Sequence, residues 1–218
     1  MHPELSQVKA VLFDLDGTLL DTYRLILDSM RYTIRTELGL EYSDEQLMAK
    51  VGQPLAVQMT DFAPDPRVAD VLVETYREYN ETLHDKVVRA FDGVPEVLAA
   101  LKGAGLALGV VTSKRHELAQ RGLDITGLSQ YLDFVVGPDD WPEFKPAPGS
   151  VRHGCRLAGC DPRECIYVGD SPFDIQAGNG AGCFTIAALW GMFPEETLRG
   201  QAPSFVCAQP TDILSLLV

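Results

Sequence analysis

Short, continuous runs of apolar residues divide most of the chain into strand-length segments. The runs are rich in β-branched or aliphatic side chains and do not alternate with polar residues, which is typical of strands buried on both faces of a parallel sheet. They cover residues 8–13, 106–111, 134–136, 165–168 and 183–187. Helix-length segments lie between them, at roughly 94–104, 114–123, 146–159 and 172–181. This alternation predicts a Rossmann-like, doubly wound α/β fold with a parallel sheet and right-handed crossovers.

Residues 22–88 interrupt this alternation, because they contain no strand-like run. Apolar positions recur every three or four residues in 22–38, which Gly39 ends, and again in 66–83. This period predicts amphipathic helices. The segment is too long for a simple crossover, so we predict an all-helical domain inserted after the first strand. The predicted domain bounds are 1–19 with 89–218 for the α/β core and 20–88 for the helical insert.

Polar residues follow three of the predicted strands at the point where each strand ends. They are two carboxylates, then two hydroxyls, then two more carboxylates: Asp14 and Asp16, Thr112 and Ser113, Asp170 and Asp174. The carboxyl ends of parallel strands share one edge of the sheet, and ligands bind in the crevice there. Crowded carboxylates repel one another unless a hard cation lies between them, and an all-oxygen set suits Mg²⁺. The sequence therefore predicts a magnesium site formed by Asp14, Asp16, Asp170 and Asp174.

The same residues predict phosphoryl-transfer chemistry. Asp14 follows its strand directly, the most rigid position available, so it is the candidate nucleophile toward phosphorus. Asp16 is the candidate general acid and base, since it can protonate a leaving oxygen and then deprotonate water. Thr112 can donate a hydrogen bond to a phosphate oxygen, and Lys145 can neutralise both the phosphate and the nucleophile. Gly17 permits a tight turn after the first strand.

Four strings in the sequence carry a resemblance to a known family. They are DLDGTLLDT at 14–22, VVTSK at 110–114, FKPAPGS at 144–150 and VGDSPFDIQAGNGAG at 168–182. In this order they resemble the four motifs of the haloacid dehalogenase (HAD) superfamily, and the likeness covers essentially the whole chain. The helical insert resembles that family's C1 cap. Residues 84–101 and the string VGQPL at 51–55 are similar to phosphoglycolate phosphatases and to pyrophosphatases of the PpaX type.

The resemblance implies a role for each residue that matches a motif. Asp14 would be the phosphorylated nucleophile, Asp16 the general acid and base, and Lys145 a bridge between the phosphate and Asp14. Mg²⁺ would be held by the Asp14 carboxylate, the Asp16 backbone carbonyl and the Asp170 carboxylate. Asp174 would be a further ligand or would lie behind the ligands; an ordinary first-turn residue of a helix is the rival interpretation. Dehalogenases of the family lack an acid at the position of Asp16, which favours a phosphatase.

Substrate contacts are expected from both the core and the insert. The predicted substrate-binding residues are Gly17, Thr18, Gln53, Thr112, Ser113 and Lys114. Gln53 matches the family's cap-loop residue that faces the site. For Arg31, Arg35 and Lys50 a solvated helix surface is preferred over a substrate contact. Lys114 and Arg115, at the start of a helix, are better placed to add positive potential near the phosphate.

Composition narrows the partners further. With 18 Lys+Arg against 31 Asp+Glu, the formal net charge is −13, which repels DNA and RNA and disfavours nucleic-acid binding. No apolar run reaches the length of a membrane span, and the first residues lack the pattern of a secretory signal. The five cysteines form no C-x-x-C pair, which indicates a reducing, cytoplasmic compartment rather than a disulfide framework. Monomer and dimer both stay open.

The main prediction is a Mg²⁺-dependent phosphatase that acts on a small phosphorylated metabolite through an aspartyl-phosphate, under a cap that excludes water. Phosphoglycolate is the leading substrate and inorganic pyrophosphate the alternative. A sugar phosphomutase is less favoured, because no sugar-binding cap residues are recognisable. A non-enzymatic phospho-receiver domain has a similar fold but lacks both a helical insert and an acid two residues after its aspartate.

Three other features receive an ordinary interpretation. The spacing of His153, Cys155 and Cys160 does not match zinc ligands, so these are expected to be core or surface residues. His84 is expected at the surface. Residues 190–193, which follow the last main strand, are expected to form a hydrophobic plug instead of a loop flanking the site.

Overall fold

The computed structural model describes residues 2–218, in which the strands fall close to the predicted apolar runs. The strands are β1 (Ala10–Phe13), β2 (Leu20–Asp21), β3 (Arg89–Ala90), β4 (Ala107–Val111), β5 (Phe134–Val136), β6 (Cys165–Gly169), β7 (Phe184–Ala188) and β8 (Phe205–Cys207). Six of them form one parallel sheet in the order β5-β4-β1-β6-β7-β8, and β2 pairs with β3 in a separate antiparallel ribbon. The first strand thus lies in the interior of the sheet.

Helices connect the sheet strands and build the insert. They are α1 (Tyr23–Leu38), α2 (Asp44–Met48), α3 (Leu55–Met59), α4 (Pro66–Val87), α5 (Val94–Gly103), α6 (His116–Ile125), α7 (Gly149–Leu157), α8 (Pro172–Ala181), α9 (Glu195–Arg199) and α10 (Asp212–Leu217). No helix among residues 2–218 is both long enough and apolar enough to cross a membrane.

The central strand β1 shows why the apolar runs are continuous. Val11 and Phe13 belong to one buried cluster, whereas Ala10 and Leu12 belong to a second cluster. Successive strand residues point to opposite faces, so both faces of β1 are covered and every position is apolar. The parallel sheet flanked by helices confirms the predicted α/β fold class.

The register of the sheet brings the ends of three strands to one level. Phe13, the last residue of β1, pairs with Val110 of β4 and with Val168 of β6. The loops that follow these strands therefore leave the sheet side by side. This is the edge at which a ligand crevice forms in open parallel sheets.

The insert has its own small hydrophobic core. Helices α1 and α4 pack along one another and bury, among others, Leu27, Met30 and Leu72. The chain passes between core and insert through the β2–β3 ribbon, in which Leu20 pairs with Ala90. The domain bounds given above stay a prediction.

Two helix boundaries and one strand show the clearest differences from the predicted elements. Helix α4 continues past residue 83 to Val87, and its start is capped by Asp65, whose side chain accepts hydrogen bonds from two backbone N–H groups. Helix α7 begins at Gly149 instead of residue 146, because Pro148 disfavours the helical conformation for Ala147, the residue before it. The short edge strand β8 was not predicted, since a three-residue, partly exposed run carries little pattern.

Candidate active site

Asp14 occupies the first position after β1, where the sheet fixes its backbone. Its N–H donates a hydrogen bond to the Val168 carbonyl at 2.9 Å, and the residue is 3% exposed. Burial raises the pKa of Asp14 to about 7; the Lys145 ammonium opposes that rise and the Asp174 carboxylate adds to it. The structure therefore holds a buried carboxylate rigidly at the sheet edge.

Lys145 joins two of the buried carboxylates. Its Nζ donates to Asp14 Oδ1 at 2.7 Å and to Asp174 Oδ1 at 2.6 Å. It also lies 5.8 Å from the ring centroid of Tyr167. Burial by itself would lower the pKa of Lys145, but the two carboxylates hold it well above its usual value. Lys145 is thus a fixed cation that orients both carboxylates.

Asp170 is held by two donors from different parts of the chain. Thr18 Oγ1 donates to Asp170 Oδ1 at 3.0 Å, and the Met192 N–H donates to Oδ2 at 2.8 Å. Burial, followed by the charges of Asp174 and Asp14, raises the pKa of Asp170 well above its usual value. Because the ionised form of Asp170 is unfavourable in this environment, a nearby cation would be needed to stabilise it.

Two glycines make room for the Asp170 side chain. A side chain on Gly17 or on Gly191 would overlap the Asp170 carboxylate, and Gly17 also has a φ of +85°. The indole N–H of Trp190 donates to the Thr18 carbonyl at 2.9 Å. The expectation that residues 190–193 form a plug is therefore wrong, because this loop packs against a site carboxylate and supplies it with a backbone donor.

Asp174 has two roles in the structure. It stands in the first turn of α8, where the Ser171 N–H and Oγ donate to its Oδ2 at 3.0 and 2.5 Å in a capping box. Its other oxygen accepts from Lys145 and lies 3.2 Å from the Tyr167 hydroxyl. Asp174 is therefore both a first-turn residue that caps α8 and a member of the carboxylate site.

These carboxylates form a cluster whose charge is incomplete. One oxygen from each of Asp14, Asp170 and Asp174 lies within 4.8 Å of the others, and all three residues are buried. Lys145 is buried among them, so the fully ionised cluster would carry three negative charges against one positive charge. A buried excess of two negative charges is costly unless a counter-charge fills it. An oxygen-preferring divalent cation fits this deficit, and Mg²⁺ is one such ion.

The Asp16 side chain lies outside this cluster. Lys114 Nζ donates to its two carboxylate oxygens at 2.8 and 3.1 Å. Of the four carboxylates predicted to hold a metal, the structure thus brings three together and pairs the fourth with a lysine. The Asp16 backbone carbonyl, which the family resemblance implies as a ligand, stays a prediction.

The loop after β4 connects the core with the insert. The Thr112 N–H donates to the Val136 carbonyl at 2.9 Å, and Thr112 Oγ1 accepts from the Lys114 N–H at 3.2 Å. Ser113 Oγ donates to the Gly52 carbonyl of the insert at 2.6 Å. The Thr112 hydroxyl proton is therefore available for a bound oxygen, whereas the Ser113 hydroxyl holds the two parts of the molecule together.

A cavity of about 300 Å³ opens between the core and the insert beside Asp14. It is lined by six predicted site residues: Asp14, Asp16, Gln53, Thr112, Ser113 and Lys114. The remaining predicted residues do not line it: Gly17, Thr18, Lys145, Asp170 and Asp174. Thr18 is fully buried and its hydroxyl is bonded to Asp170, so the structure places it beside the carboxylate cluster and not at the cavity wall.

Helix α4 supplies a wall of the cavity that sequence reasoning missed. Tyr76, Arg77 and Asn80 line it, and burial with the charge of Asp16 raises the pKa of Tyr76. From the sequence, Tyr76 belonged to the apolar face of the helix. The one available signal was Asn80, a buried amide one turn further along that face, which donates to Ser29 Oγ at 3.1 Å.

His84 is buried, so the expectation of a surface histidine is wrong. It lies near the end of α4, where its ring faces Gly122 of α6. Its Nδ1 lies 2.9 Å from Asp85 Oδ1. Burial lowers the pKa of His84, and the hydrogen bond to Asp85 opposes that shift.

Comparison with known proteins agrees with this geometry. The sequence profile of the haloacid dehalogenase-like hydrolase family matches residues 11–188. The pyrophosphatase PpaX of Bacillus velezensis is 35% identical over 210 residues, which are 96% of both chains. A protein of Caldanaerobacter subterraneus that bears the PpaX name provisionally is 38% identical over 211 residues, 97% of this chain and 95% of that one.

The solved structures include a close match in fold. The crystal structure of a predicted phosphoglycolate phosphatase from Haemophilus somnus superimposes with a TM-score of 0.89. It is 25% identical and covers 97% of this chain and 98% of its own. The family profile spans most of the chain, and the PpaX-named relatives span nearly all of it. The chain therefore belongs to the haloacid dehalogenase-like hydrolase family and is an enzyme, a hydrolase of the phosphatase kind.

Proposed function

We propose that this protein is a Mg²⁺-dependent phosphatase that hydrolyses a small phosphorylated metabolite through an aspartyl-phosphate on Asp14. The observation that carries the proposal is the buried cluster of Asp14, Asp170 and Asp174 with one lysine, beside a cavity that reaches Asp14. Such a cluster supplies a nucleophile and a cation site at the same edge of the sheet.

Asp14 would attack phosphorus while the bond from phosphorus to the leaving oxygen breaks. Asp16 would give its proton to that oxygen, and as a carboxylate it would then take a proton from the water that hydrolyses the aspartyl-phosphate. Asp16 lines the cavity with Asp14, and both lie on the loop after β1. The second attack releases inorganic phosphate and restores the Asp14 carboxylate.

Lys145 and Thr112 would prepare the site for this reaction. Lys145 fixes one Asp14 oxygen at 2.7 Å, which leaves the other oxygen for attack and neutralises charge as the phosphoryl group arrives. Thr112 would donate its hydroxyl proton to a phosphate oxygen, next to the Ser113 backbone N–H. Mg²⁺ held by Asp14, Asp170 and the Asp16 carbonyl would neutralise the phosphate oxygens when bound.

The cavity supports a small substrate. Its volume of about 300 Å³ matches a metabolite, and the insert closes one side of it. A net charge of −13 supports a substrate other than nucleic acid. Five free cysteines are compatible with a reducing, cytoplasmic location, which is part of this proposal.

Two substrates are proposed within this class. Phosphoglycolate is supported by the fold neighbour from Haemophilus somnus, and inorganic pyrophosphate by the PpaX-named relatives at 35% and 38% identity. The PpaX relatives are more similar to this chain in sequence than the Haemophilus somnus protein is, and they cover about as much of it. Pyrophosphate therefore has more support than the sequence motifs alone gave it.

The test is phosphate release with the purified protein. Phosphoglycolate, inorganic pyrophosphate and a set of sugar phosphates are compared with Mg²⁺ and with a chelator. We expect turnover of at least one of the first two substrates, and its loss when the chelator is added. Absence of phosphate release from every compound in the presence of Mg²⁺ would contradict the proposed function.

A further inference from the structure

The charged groups on the cavity wall differ in how firmly they are paired. Three acidic residues line the cavity (Asp14, Asp16 and Glu81), and so do three basic residues (Arg77, Lys114 and Arg115). Lys114 is committed to Asp16 at 2.8 Å, and Asp14 is committed to Lys145 behind the wall. The two arginines are therefore the cavity cations that a substrate can still engage.

Arg77 is the clearer case. It extends from α4 of the insert and is half-buried, yet its side chain makes no hydrogen bond and no ion pair with any residue between 2 and 218. Burial, followed by the charge of Arg115, lowers the pKa of Arg77, and the Glu81 carboxylate opposes that shift. A half-buried guanidinium beside another cation is unfavourable until an anion joins it.

Arg115 reaches the same cavity from the core. It directly follows Lys114 and precedes α6, and its NH2 group lies 3.5 Å from Glu81 Oε1. That pair is long and both side chains are about half exposed, so it is weak and open to displacement. Core and insert thus each bring one arginine to the same end of the cavity.

We propose that Arg77 and Arg115 bind a second anionic group of the substrate, so that the enzyme selects small phosphorylated molecules that carry a carboxylate or a second phosphate next to the scissile phosphate. The inference rests on the proposed function, since it assumes that the scissile phosphate lies at Asp14. Guanidinium groups bind carboxylate and phosphate oxygens through paired N–H donors. A substrate with a neutral tail would leave both arginines without a partner.

The subsite also explains how a cavity with balanced charge can hold a multiply charged substrate. Lys145 and a divalent cation would serve the scissile phosphate, and the two arginines would serve the far anion. Because one arginine lies on each side of the cavity, a doubly anionic substrate would also hold the insert against the core. Phosphoglycolate and pyrophosphate both meet this requirement, whereas common sugar monophosphates do not.

The test uses two substrates that differ at the far group. 2-Phosphoglycolate ends in a carboxylate, and 2-hydroxyethyl phosphate has the same length but ends in an alcohol. We expect the unmodified enzyme to prefer phosphoglycolate in kcat/KM by roughly tenfold to a hundredfold, the usual range for a charge-assisted hydrogen bond. Arg77→Gln and Arg115→Gln should each remove most of that preference, chiefly through KM, and should change the rate for hydroxyethyl phosphate by only about twofold.

A control variant and a binding measurement distinguish failure of the proposed anion subsite from failure of the proposed phosphatase function. Arg35→Gln is the matched control, because Arg35 is exposed on the insert and lies outside this cavity. Calorimetric binding of both compounds to the Asp14→Asn protein compares their affinities without any turnover. Equal affinity for the two compounds, or an equal loss for both in Arg77→Gln, would overturn the subsite even where phosphatase activity is intact.

Discussion

The carboxylate cluster of the core and the α4 wall of the insert face one cavity but are built differently. In the core, Asp170 and Asp174 are each fully buried and each held by at least two donors. On the α4 wall, Arg77 is half-buried and its side chain makes no hydrogen bond within residues 2–218. The core groups are fixed before a substrate arrives, whereas the Arg77 side chain would gain its ion-pair partner only from the substrate.

This difference teaches how the two parts divide their work. Groups that react must be held in place in advance, because disorder at the reacting atoms raises the barrier. A group that recognises a substrate has no existing ion pair to break when its partner is absent from the free enzyme, so less of the binding free energy is lost. Substitutions in the core should therefore act mainly on kcat and metal binding, and substitutions in the α4 wall on KM.

The largest effect is expected from Asp14→Asn. Loss of the nucleophile should lower turnover by roughly 10⁴-fold or more while leaving the fold intact, because an amide fills the same space without a buried charge. Phosphate release measures the first expectation and thermal unfolding by circular dichroism the second. Asp21→Asn, in the same string but exposed on the ribbon, is the control and should keep full activity. Appreciable activity of Asp14→Asn would remove Asp14 from the nucleophile role.

Asp16→Ala should have the next largest effect. General acid and base catalysis usually contributes ~10²–10⁴-fold, so kcat should fall by that range. The loss should be smaller for a substrate whose leaving group needs no proton, such as 4-nitrophenyl phosphate. An equal loss for both kinds of substrate would mean that Asp16 serves mainly to hold Lys114, its ion-pair partner at 2.8 Å.

The core part of the site could be predicted from the sequence because its geometry follows from the sheet. Each apolar run ends in a polar residue, and parallel strands in register bring those ends together, as the pairing of Phe13 with Val110 and Val168 shows. The lysine that joins the carboxylates was found from its motif and from the need for a cation. The local sequence pattern was therefore almost sufficient to predict the positions of these residues.

The α4 wall could not be predicted in the same way. The period of α4 identifies a helix, but which side of it faces the core depends on how the whole insert packs. From the sequence, Arg31, Arg35 and Lys50 therefore could not be distinguished from the other basic residues of the insert as substrate contacts. The structure pairs Arg31 with Asp44 and Lys50 with Asp61, away from the cavity. Arg77 lay within a segment that the sequence described only by its apolar stripe.

A moderate effect is expected from Thr18→Val, which tests whether the Asp170 carboxylate must be positioned before the metal binds. This substitution keeps the shape but removes the donor to Asp170 Oδ1. Loss of a hydrogen bond to a metal-binding group typically costs about 10–100-fold in metal affinity. The Mg²⁺ concentration for half-maximal activity should therefore rise, with less change in saturated kcat. Thr22→Val is the matched control, since the Thr22 hydroxyl is buried without a hydrogen-bond partner within residues 2–218; an equal rise in that variant would contradict the specific role of Thr18.

The smallest effect concerns His84, where the two parts of the molecule meet. Burial lowers the pKa of His84, as does the charge of Lys114, while Asp85 and Asp16 raise it. Because the folded-state pKa lies below the ordinary value of 6.5, the unfolded chain binds the proton first as the pH falls. The contribution of His84 to the free energy of unfolding should therefore decrease as the pH drops from about 6.5 toward that lower pKa. Urea unfolding at several pH values compares the unmodified protein with His84→Gln, and the difference between their free energies of unfolding should shrink as the pH falls through this range. A difference that stays the same at every pH would mean that protonation of His84 does not destabilise the folded protein.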